Sequence, residues 1–173
     1  MEIIDLLLFI LPAYVANATP VIFNGRTPID LGKELQDKQR IFGENKTIIG
    51  FLFGVTSGTI TGIAIITIFP QLFMQLSLNE KILTAFLLSL GAMLGDLIGS
   101  FVKRRRKMKS GQESTIMDKI LFVIIALIVA YPVYNTKVNL VFTDILLVVV
   151  ATFFLHILFN RIAHATKLKK VPW

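Results

Sequence analysis

Apolar residues in this chain gather into long runs that contain almost no charge. Between residues 47 and 79 there is no charged residue at all, and residues 82–102 carry a single one, Asp96. A helix needs about 20 apolar residues to cross roughly 30 Å of hydrocarbon. The pattern therefore predicts membrane-spanning helices at about residues 48–69, 82–102, 117–134 and 138–160.

The N-terminal run, at about residues 3–23, is a weaker candidate for a further span. Two prolines and an asparagine interrupt it: Pro12, Asn17 and Pro20. A cleaved signal peptide is the rival interpretation, but signal peptides start with cationic residues, and this run starts with Glu2 and Asp5. We therefore predict an all-α integral membrane protein of five transmembrane helices that forms one domain over residues 1–173.

The composition supports a membrane protein and excludes several other classes. Hydrophobic residues make up 54% of the chain and charged residues only 17%, with a mean hydropathy of +0.72, whereas a soluble domain carries roughly 25% charged residues. The absence of cysteine excludes disulfides, thiolate metal sites and a cysteine nucleophile. The net charge of +7 offers a basic face. Because the hydropathy favours a membrane over nucleic acid, we expect no nucleic-acid partner.

The distribution of basic residues predicts an orientation in the membrane. Nearly all of the 18 Lys and Arg residues lie in or beside the connections at about 24–47 and 103–116, or in the C-terminal tail. The positive-inside rule places such segments in the cytoplasm. We therefore predict a cell-membrane protein with the N-terminus outside, the C-terminus in the cytoplasm, and an active site that faces the cytoplasm.

Asp96 is the most informative single residue because a carboxylate inside a transmembrane segment costs at least ~2.5 kcal/mol when it faces lipid. On a helix, Asp96, Ser100 and Lys103 share one face. A divalent metal held by carboxylate, with Lys and Arg nearby, is a common arrangement for handling phosphates. The structural alternative is that Asp96 forms an ion pair with a basic residue and anchors the helix end. The residues by themselves leave both interpretations open.

A second acid, Asp118, opens the next predicted span directly after the basic loop. As an acid in the first turn it also suits the helix dipole, which requires no further function. Because the third and fourth spans form a hairpin, however, Asp96 and Asp118 are predicted at the same end, where two carboxylates could hold one or two Mg²⁺ ions. In the basic run 103–107, Lys103 and Arg104 lie on the Asp96 face. The alternative for the run is a topology signal or an anionic-lipid site.

Small residues recur every four positions in two of the predicted helices. They are Gly50, Gly54, Gly58 and Gly62 in the second span and Gly91, Gly95 and Gly99 in the third. Stripes of small residues let membrane helices approach closely. We therefore predict that the second span packs against the third.

Two further polar groups carry weaker signals. Lys46 and Thr47 precede the second span, where a helix N-terminus can bind an anion, although the surrounding sequence is not a P-loop motif. In the last span, His156, Asn160 and His164 follow a spacing of i, i+4 and i+8. We interpret these three as polar residues that hydrogen-bond across helices.

A set of motifs spread over nearly the whole chain is similar to one known family. The segment GDLIGSFVKRR at 95–105, Gly111 and Met117-Asp118 resemble the signature of the membrane cytidylyltransferases, which include the bacterial CDP-diacylglycerol synthases. Further motifs are closer to the archaeal branch, the CDP-archaeol synthases: PAYVANATP at 12–20, TPIDLG at 27–32, IFGENKT at 41–47 with Gly50, NRIA at 160–163 and VPW at 171–173.

This resemblance implies a reaction, a cofactor and a set of site residues. The reaction would be Mg²⁺-dependent transfer of CMP from CTP to 2,3-bis-geranylgeranylglycerol 1-phosphate, with release of diphosphate, in membrane phospholipid biosynthesis. Asp96 and Asp118 would be the metal ligands, and Lys103 and Arg104 would contact phosphate. The implied binding residues are Lys46, Thr47, Asn17, Pro20, Asp30, Gly50 and Ser100. The chain departs from the family pattern at Lys119, where Gln is usual, and at Lys38-Gln39, where Gly-Lys is usual.

A different class of function is kept as the alternative. A non-enzymatic transporter subunit or an anionic-lipid-binding scaffold would use Asp96 in an ion path and the basic loop as a docking surface. For the enzyme, the expected partners are CTP, a lipid phosphate, membrane lipids and a second copy of the chain in a homodimer.

Overall fold

The computed structural model describes residues 2–109, 112, 114, 117–135, 137–138 and 140–167, so Gly111 and the motif at 171–173 lie outside the described residues. In this part of the chain there are five long helices. They are α1 (Ile3–Ala18, continued by the short 3-10 turn Thr19–Val21), α2 (Ile48–Ile68), α3 (Leu78–Arg105), α4 (Met117–Tyr134) and α5 (Phe142–Ala165). All five are long and apolar enough to cross a membrane. The predicted all-α fold of five spans is confirmed, including the weaker N-terminal one.

Helix α3 is longer than the span predicted for it at both ends. A capping box starts it at Leu78: the N–H of Glu80 donates to the Ser77 hydroxyl, and the N–H of Ser77 donates to the Glu80 carboxylate at 2.8 Å. Such a box satisfies backbone donors that the first helical turn leaves unpaired. At the other end the helix runs through the basic residues to Arg105, because cations in a last turn interact favourably with the helix dipole.

The most extensive helix contact in the bundle joins α3 to α4. A Cβ atom added at Gly91 would lie 2.6 Å from the Cα of Ala126, and one added at Gly95 would lie 2.7 Å from the Cα of Phe122. The two backbones therefore touch along the glycine stripe of α3. Our prediction that this stripe packs against α2 is wrong. Spacing reveals a face made of small residues, but it does not reveal which neighbour occupies that face.

The glycine stripe of α2 packs against α1 and α3 together. A Cβ atom at Gly54 would lie 2.8 Å from the carbonyl oxygen of Ala16 in α1 and 2.5 Å from the sulfur of Met93 in α3. Gly58 has a similar position, close to the carbonyl oxygen of Pro12, which lies inside α1. The contact between α2 and α3 was therefore predicted correctly, although α3 supplies ordinary side chains to it.

Helix α5 lies at the edge of the bundle, against α4 and α1. Its buried contacts include Val148 and Thr152, and the hydroxyl of Thr152 shares a 2.7 Å hydrogen bond with Tyr14 of α1. His156 and Asn160 share a 2.8 Å hydrogen bond within α5 itself. Hydrogen bonds from these residues across helices remain a prediction.

Candidate active site

Asp96 of α3 forms an ion pair with Lys46, which comes from the long connection between α1 and α2. The Lys46 Nζ atom lies 2.5 Å from Asp96 Oδ2, and the two side chains are 26% and 28% exposed. The ion pair of the structural alternative is therefore present. Its cation comes from this connection, called loop one (residues 24–47) below, and not from the basic run of α3. Asp96 thus lies at an accessible, polar position beneath loop one.

Asp118, in the first turn of α4, forms the second pair. Lys103 Nζ lies 2.7 Å from Asp118 Oδ1 and 3.0 Å from Oδ2, and the N–H of Ser114 donates to Oδ2 at 2.8 Å. Lys103 continues the glycine stripe of α3 by one turn beyond Gly99, so its side chain faces α4. The sequence predicted that Lys103 lies on the same helical face as Asp96. In the structure, Lys103 instead forms its ion pair with Asp118.

The two aspartates lie at the same end of the α3–α4 pair, as predicted. Gly95 lies opposite Phe122, so Asp96 and Asp118 differ in depth along the helices by about one turn, ~5 Å. Each carboxylate has its own lysine partner. Within the described residues no group of three or more His, Asp or Glu side chains could hold a metal ion. Mg²⁺ typically takes one or two protein carboxylates and completes its shell with water and substrate phosphates, and its binding at Asp96 and Asp118 stays a prediction.

Arg104 of α3 packs against Gly43 of loop one, and it is buried with only 7% exposure. Its Nη2 atom donates to the carbonyl oxygen of Lys109 at 3.0 Å, while its buried Nε atom has no hydrogen-bond partner among the described residues. Gly43 of loop one, at φ +100°, approaches so closely that an added Cβ would lie 3.6 Å from Arg104 Cδ. A buried donor without an acceptor costs about 1–3 kcal/mol. Contact of the Arg104 guanidinium with phosphate stays a prediction.

Thr47 and Gly50 are part of the junction between loop one and α2. The Thr47 hydroxyl caps the helix by accepting from the N–H of Gly50 at 3.1 Å, accepts from the N–H of Gly25 and donates to the Asn24 side chain at 2.6 Å. A Cβ atom at Gly50 would lie 3.3 Å from Pro20 Cβ. Tight packing and capping therefore explain these residues, and their contact with nucleotide stays a prediction.

Two other predicted binding residues lie on helices near this junction. Asn17 is half-buried in the last turn of α1, and Ser100 is buried on α3, one turn from Asp96. Their position is compatible with a site beneath loop one. Their contact with nucleotide likewise stays a prediction.

Asp30 is the organising residue of loop one. Its side chain is fully buried, and its oxygens accept hydrogen bonds from the N–H groups of Phe42 and Gly43 at 3.0 Å, from Gly32 at 3.1 Å, and from the guanidinium of Arg40. Burial by itself raises the pKa of Asp30, but these hydrogen bonds outweigh it and hold the pKa well below its ordinary value. Since all of its partners lie in loop one, Asp30 shapes the loop, and a role in binding nucleotide remains a prediction.

Arg105 is a structural anchor of loop one that the sequence did not indicate. Its Nη1 atom lies 2.6 Å from Asp37 Oδ1, its Nη2 atom donates to the carbonyl oxygens of Arg40 at 2.5 Å and Gln39 at 3.2 Å, and its guanidinium lies 5.2 Å from the centre of the Phe101 ring. Arg105 thus fastens loop one to the end of α3. A helical wheel places Arg105 away from the predicted site face, so nothing local in the sequence indicated this contact.

These features define a multi-pass helical membrane protein with a half-buried, phosphate-compatible site at one end of its bundle. The family model described as CarS-like, CDP-archaeol synthase, matches residues 1–173. Relatives named CDP-archaeol synthase include one from Pyrococcus furiosus, 45% identical over 99% of this chain and 98% of the relative, and one from Methanocaldococcus jannaschii, 38% identical over 95% and 94%. A solved structure of an intramembrane enzyme for archaeal membrane lipid biosynthesis is similar with a TM-score of 0.80 and 31% identity, covering 92% of this chain and 94% of that one.

The chain belongs to the CDP-archaeol synthase family, and it is a CTP-dependent cytidylyltransferase. The family resemblance of its motifs is therefore confirmed. The same finding decides against the alternative of a non-enzymatic transporter subunit or lipid-binding scaffold. It also agrees with the five apolar helices, because the similar solved structure is that of an intramembrane enzyme.

Proposed function

We propose that this chain transfers CMP from CTP to the phosphate of 2,3-bis-geranylgeranylglycerol 1-phosphate and forms CDP-archaeol and diphosphate, with Mg²⁺ bound at Asp96 and Asp118. The observation that carries this proposal is the pair of lysine–aspartate contacts beside the buried Arg104. The two substrates bring at least about four negative charges together, so a competent site must combine carboxylates for metal with fixed cations for phosphate.

The chain's own residues would bind and orient the two anionic substrates. A phosphate oxygen of the lipid forms a bond to the α-phosphorus of CTP, and the bond from that phosphorus to the diphosphate breaks. Lys46, Lys103 and Arg104 would hold the phosphate oxygens and stabilise the charge that develops on the leaving diphosphate. Mg²⁺, when bound, would supply further charge neutralisation on the same oxygens. No residue of the chain has to form a covalent intermediate.

The proposal places the site at the membrane surface on the cytoplasmic side. The apolar lipid tails would lie against the helices, while the glycerol phosphate would reach Asp96 beneath loop one. This orientation, with the N-terminus outside, is supported by the concentration of Lys and Arg in loop one and after α3. Assembly into a homodimer stays a prediction.

Labelled CTP tests the reaction with purified protein in lipid vesicles. We expect transfer of labelled CMP into the organic phase when the geranylgeranyl lipid phosphate and Mg²⁺ are both present, and release of one diphosphate per product. Phosphatidic acid serves as the comparison that tests the enzyme's preference for the hydrocarbon tails and the glycerol backbone of the lipid. Lack of transfer to the ether lipid would contradict the substrate, and equal transfer in excess EDTA would contradict the metal requirement.

The orientation can be tested cleanly because the chain contains no cysteine. A single reporter cysteine at Glu34→Cys in loop one, or at Gln75→Cys in the exposed connection between α2 and α3, would be labelled with a membrane-impermeant maleimide. In intact cells we expect labelling of the second variant only. Labelling of the loop-one cysteine from outside would reverse the proposed orientation.

A further inference from the structure

Both candidate metal-binding carboxylates already have a cation close to their oxygens. Lys46 Nζ lies 2.5 Å from Asp96 Oδ2, and Lys103 Nζ lies 2.7 and 3.0 Å from the two oxygens of Asp118. Mg²⁺ would need to lie about 2.0–2.1 Å from such oxygens. An ammonium group at these distances competes with a metal ion for the lone pairs of the same carboxylate.

The charges around the site oppose the binding of a metal ion by itself. Asp96 and Asp118 contribute two negative charges, whereas Lys46, Lys103 and the buried Arg104 contribute three positive ones. A divalent cation alone would leave a large positive excess in a place where the paired side chains are only 13–28% exposed. Like charges in a partly desolvated site repel strongly. A triphosphate, with about four negative charges, would remove this excess.

We propose that Lys46 and Lys103 are exchangeable counter-ions that release Asp96 and Asp118 when metal and nucleotide arrive together, and then turn to the phosphate oxygens. This inference rests on the proposed metal site. The lysine side chain suits this role because its ammonium group sits on a flexible four-carbon stem and can choose between acceptors. Metal alone binds weakly to the enzyme, and nucleotide and metal each strengthen the binding of the other.

The pairs differ from permanent salt bridges in one measurable respect. If a lysine competes with the metal for a carboxylate, its removal strengthens metal binding in the absence of nucleotide and weakens metal binding in its presence. If the pair serves only to hold loop one or α4 in place, its removal disturbs the fold and leaves metal affinity unchanged or lower. The two roles therefore predict opposite signs for the same measurement.

The test measures Mn²⁺ affinity, by the loss of the free-ion electron paramagnetic resonance signal, on the purified full chain with and without α,β-methylene-CTP. For the wild type we expect the analogue to tighten Mn²⁺ binding about tenfold or more. For Lys46→Met and Lys103→Met we expect Mn²⁺ binding without the analogue to tighten severalfold, and the effect of the analogue to shrink. The matched control is Lys33→Met, which removes the same charge from an exposed position of loop one. It should behave as the wild type.

The outcomes separate this inference from the function on which it rests. Equal Mn²⁺ affinity of the wild type with and without the analogue, or Mn²⁺ binding without the analogue that is unchanged or weaker in both lysine variants, would overturn the exchange. Unchanged Mn²⁺ binding by the Asp96→Asn variant in the presence of the analogue would instead show that Asp96 is not a metal ligand. If Lys46→Met does not fold, Lys46→Gln replaces it and keeps a polar side chain there. The comparison of wild-type Mn²⁺ affinity with and without the analogue requires no variant.

Discussion

The α3–α4 pair and α5 are packed in two different ways. α3 and α4 touch backbone to backbone at Gly91 and Gly95, and Lys103 joins Asp118 just beyond this contact. α5 meets its neighbours through larger side chains and turns much of its apolar surface outwards: Phe142 is 77% and Phe154 65% exposed. The first arrangement holds two helices in one register, whereas the second leaves a helix with a broad face for lipid.

This difference explains where the site can be built. In a membrane, apolar surface gains little by leaving lipid for a neighbouring helix, so close packing of small residues and polar contacts has to hold helices together. The α3–α4 contact therefore supplies a fixed base for Asp96 and Asp118, and Arg105 fastens loop one to the same base. None of the residues proposed to hold metal or phosphate comes from α5.

The largest expected effect concerns the acid on α3. Asp96→Asn should lower CMP transfer by about a thousandfold or more, because it removes the proposed metal ligand at the reacting phosphates. Its yield and helix content should match the wild type. Asp144→Asn removes the same charge from the start of α5 and should keep activity within about threefold of wild type. Similar losses of activity in both variants would show that the α3–α4 pair and α5 do not differ in their importance for the reaction.

The stability of loop one should depend strongly on the buried carboxylate of Asp30. Asp30→Asn should lower the free energy of unfolding by about 2–3 kcal/mol, because several buried donors lose a charged acceptor. Thermal unfolding in detergent measures this, with Glu34→Gln as an exposed loop-one control that should stay within about 0.5 kcal/mol. Equal stability of both variants would show that the Asp30 hydrogen bonds do not hold the loop.

The same residue predicts a dependence on pH. Because the folded pKa of Asp30 lies below its ordinary value of 3.8, the carboxylate contributes stability that is fully present above that value and is lost as the pH falls towards the folded pKa. The stability difference between wild type and Asp30→Asn should therefore stay constant from about pH 7 to pH 5 and shrink towards pH 3. Unfolding curves over this range give the difference. A difference that grows in acid would contradict this pKa direction.

Two glycines of α3 provide a matched test of the close helix contact. Gly91→Ala should cost about 1–3 kcal/mol, because its Cβ would lie 2.6 Å from the Ala126 backbone. Gly99→Ala should be neutral or slightly stabilising, because among the described residues its Cβ would meet only Leu121 Cδ2 at an ordinary 3.5 Å. Unfolding by denaturant compares the two. A change of the same size at both positions would show that the contact of Gly91 with α4 does not set the effect.

The smallest effect is expected at the attachment of α5. Tyr14→Phe removes the hydrogen bond to Thr152 and should lower stability by about 0.6 kcal/mol, a typical value for hydrogen bonds between membrane helices. Tyr131→Phe, at an exposed tyrosine of α4, is the control and should have no measurable effect. A loss of more than about 2 kcal/mol for Tyr14→Phe would mean that α5 is held more firmly than its packing indicates.

Part of the site was predictable from the sequence because each signal was local. Asp96 stood out as the one charge in its apolar run, and Asp118 as an acid that opens a helix after a basic loop. Arg105 and Asp37 gave no such signal, because their contact joins residues that are far apart in the chain. The pairing of Lys46 with Asp96 was hidden for the same reason, since one partner lies in a loop without a periodic pattern.

By itself, the sequence determined the number of helices, their approximate ends and the family, because hydropathy and motifs are properties of contiguous residues. Only the tertiary structure decided which helix meets the glycine stripe of α3, and which lysine neutralises which aspartate. The physical reason is that a face of small residues or a charged group accepts many partners of equal chemistry. The choice among these partners depends on which groups the packed helices and loop one bring close together.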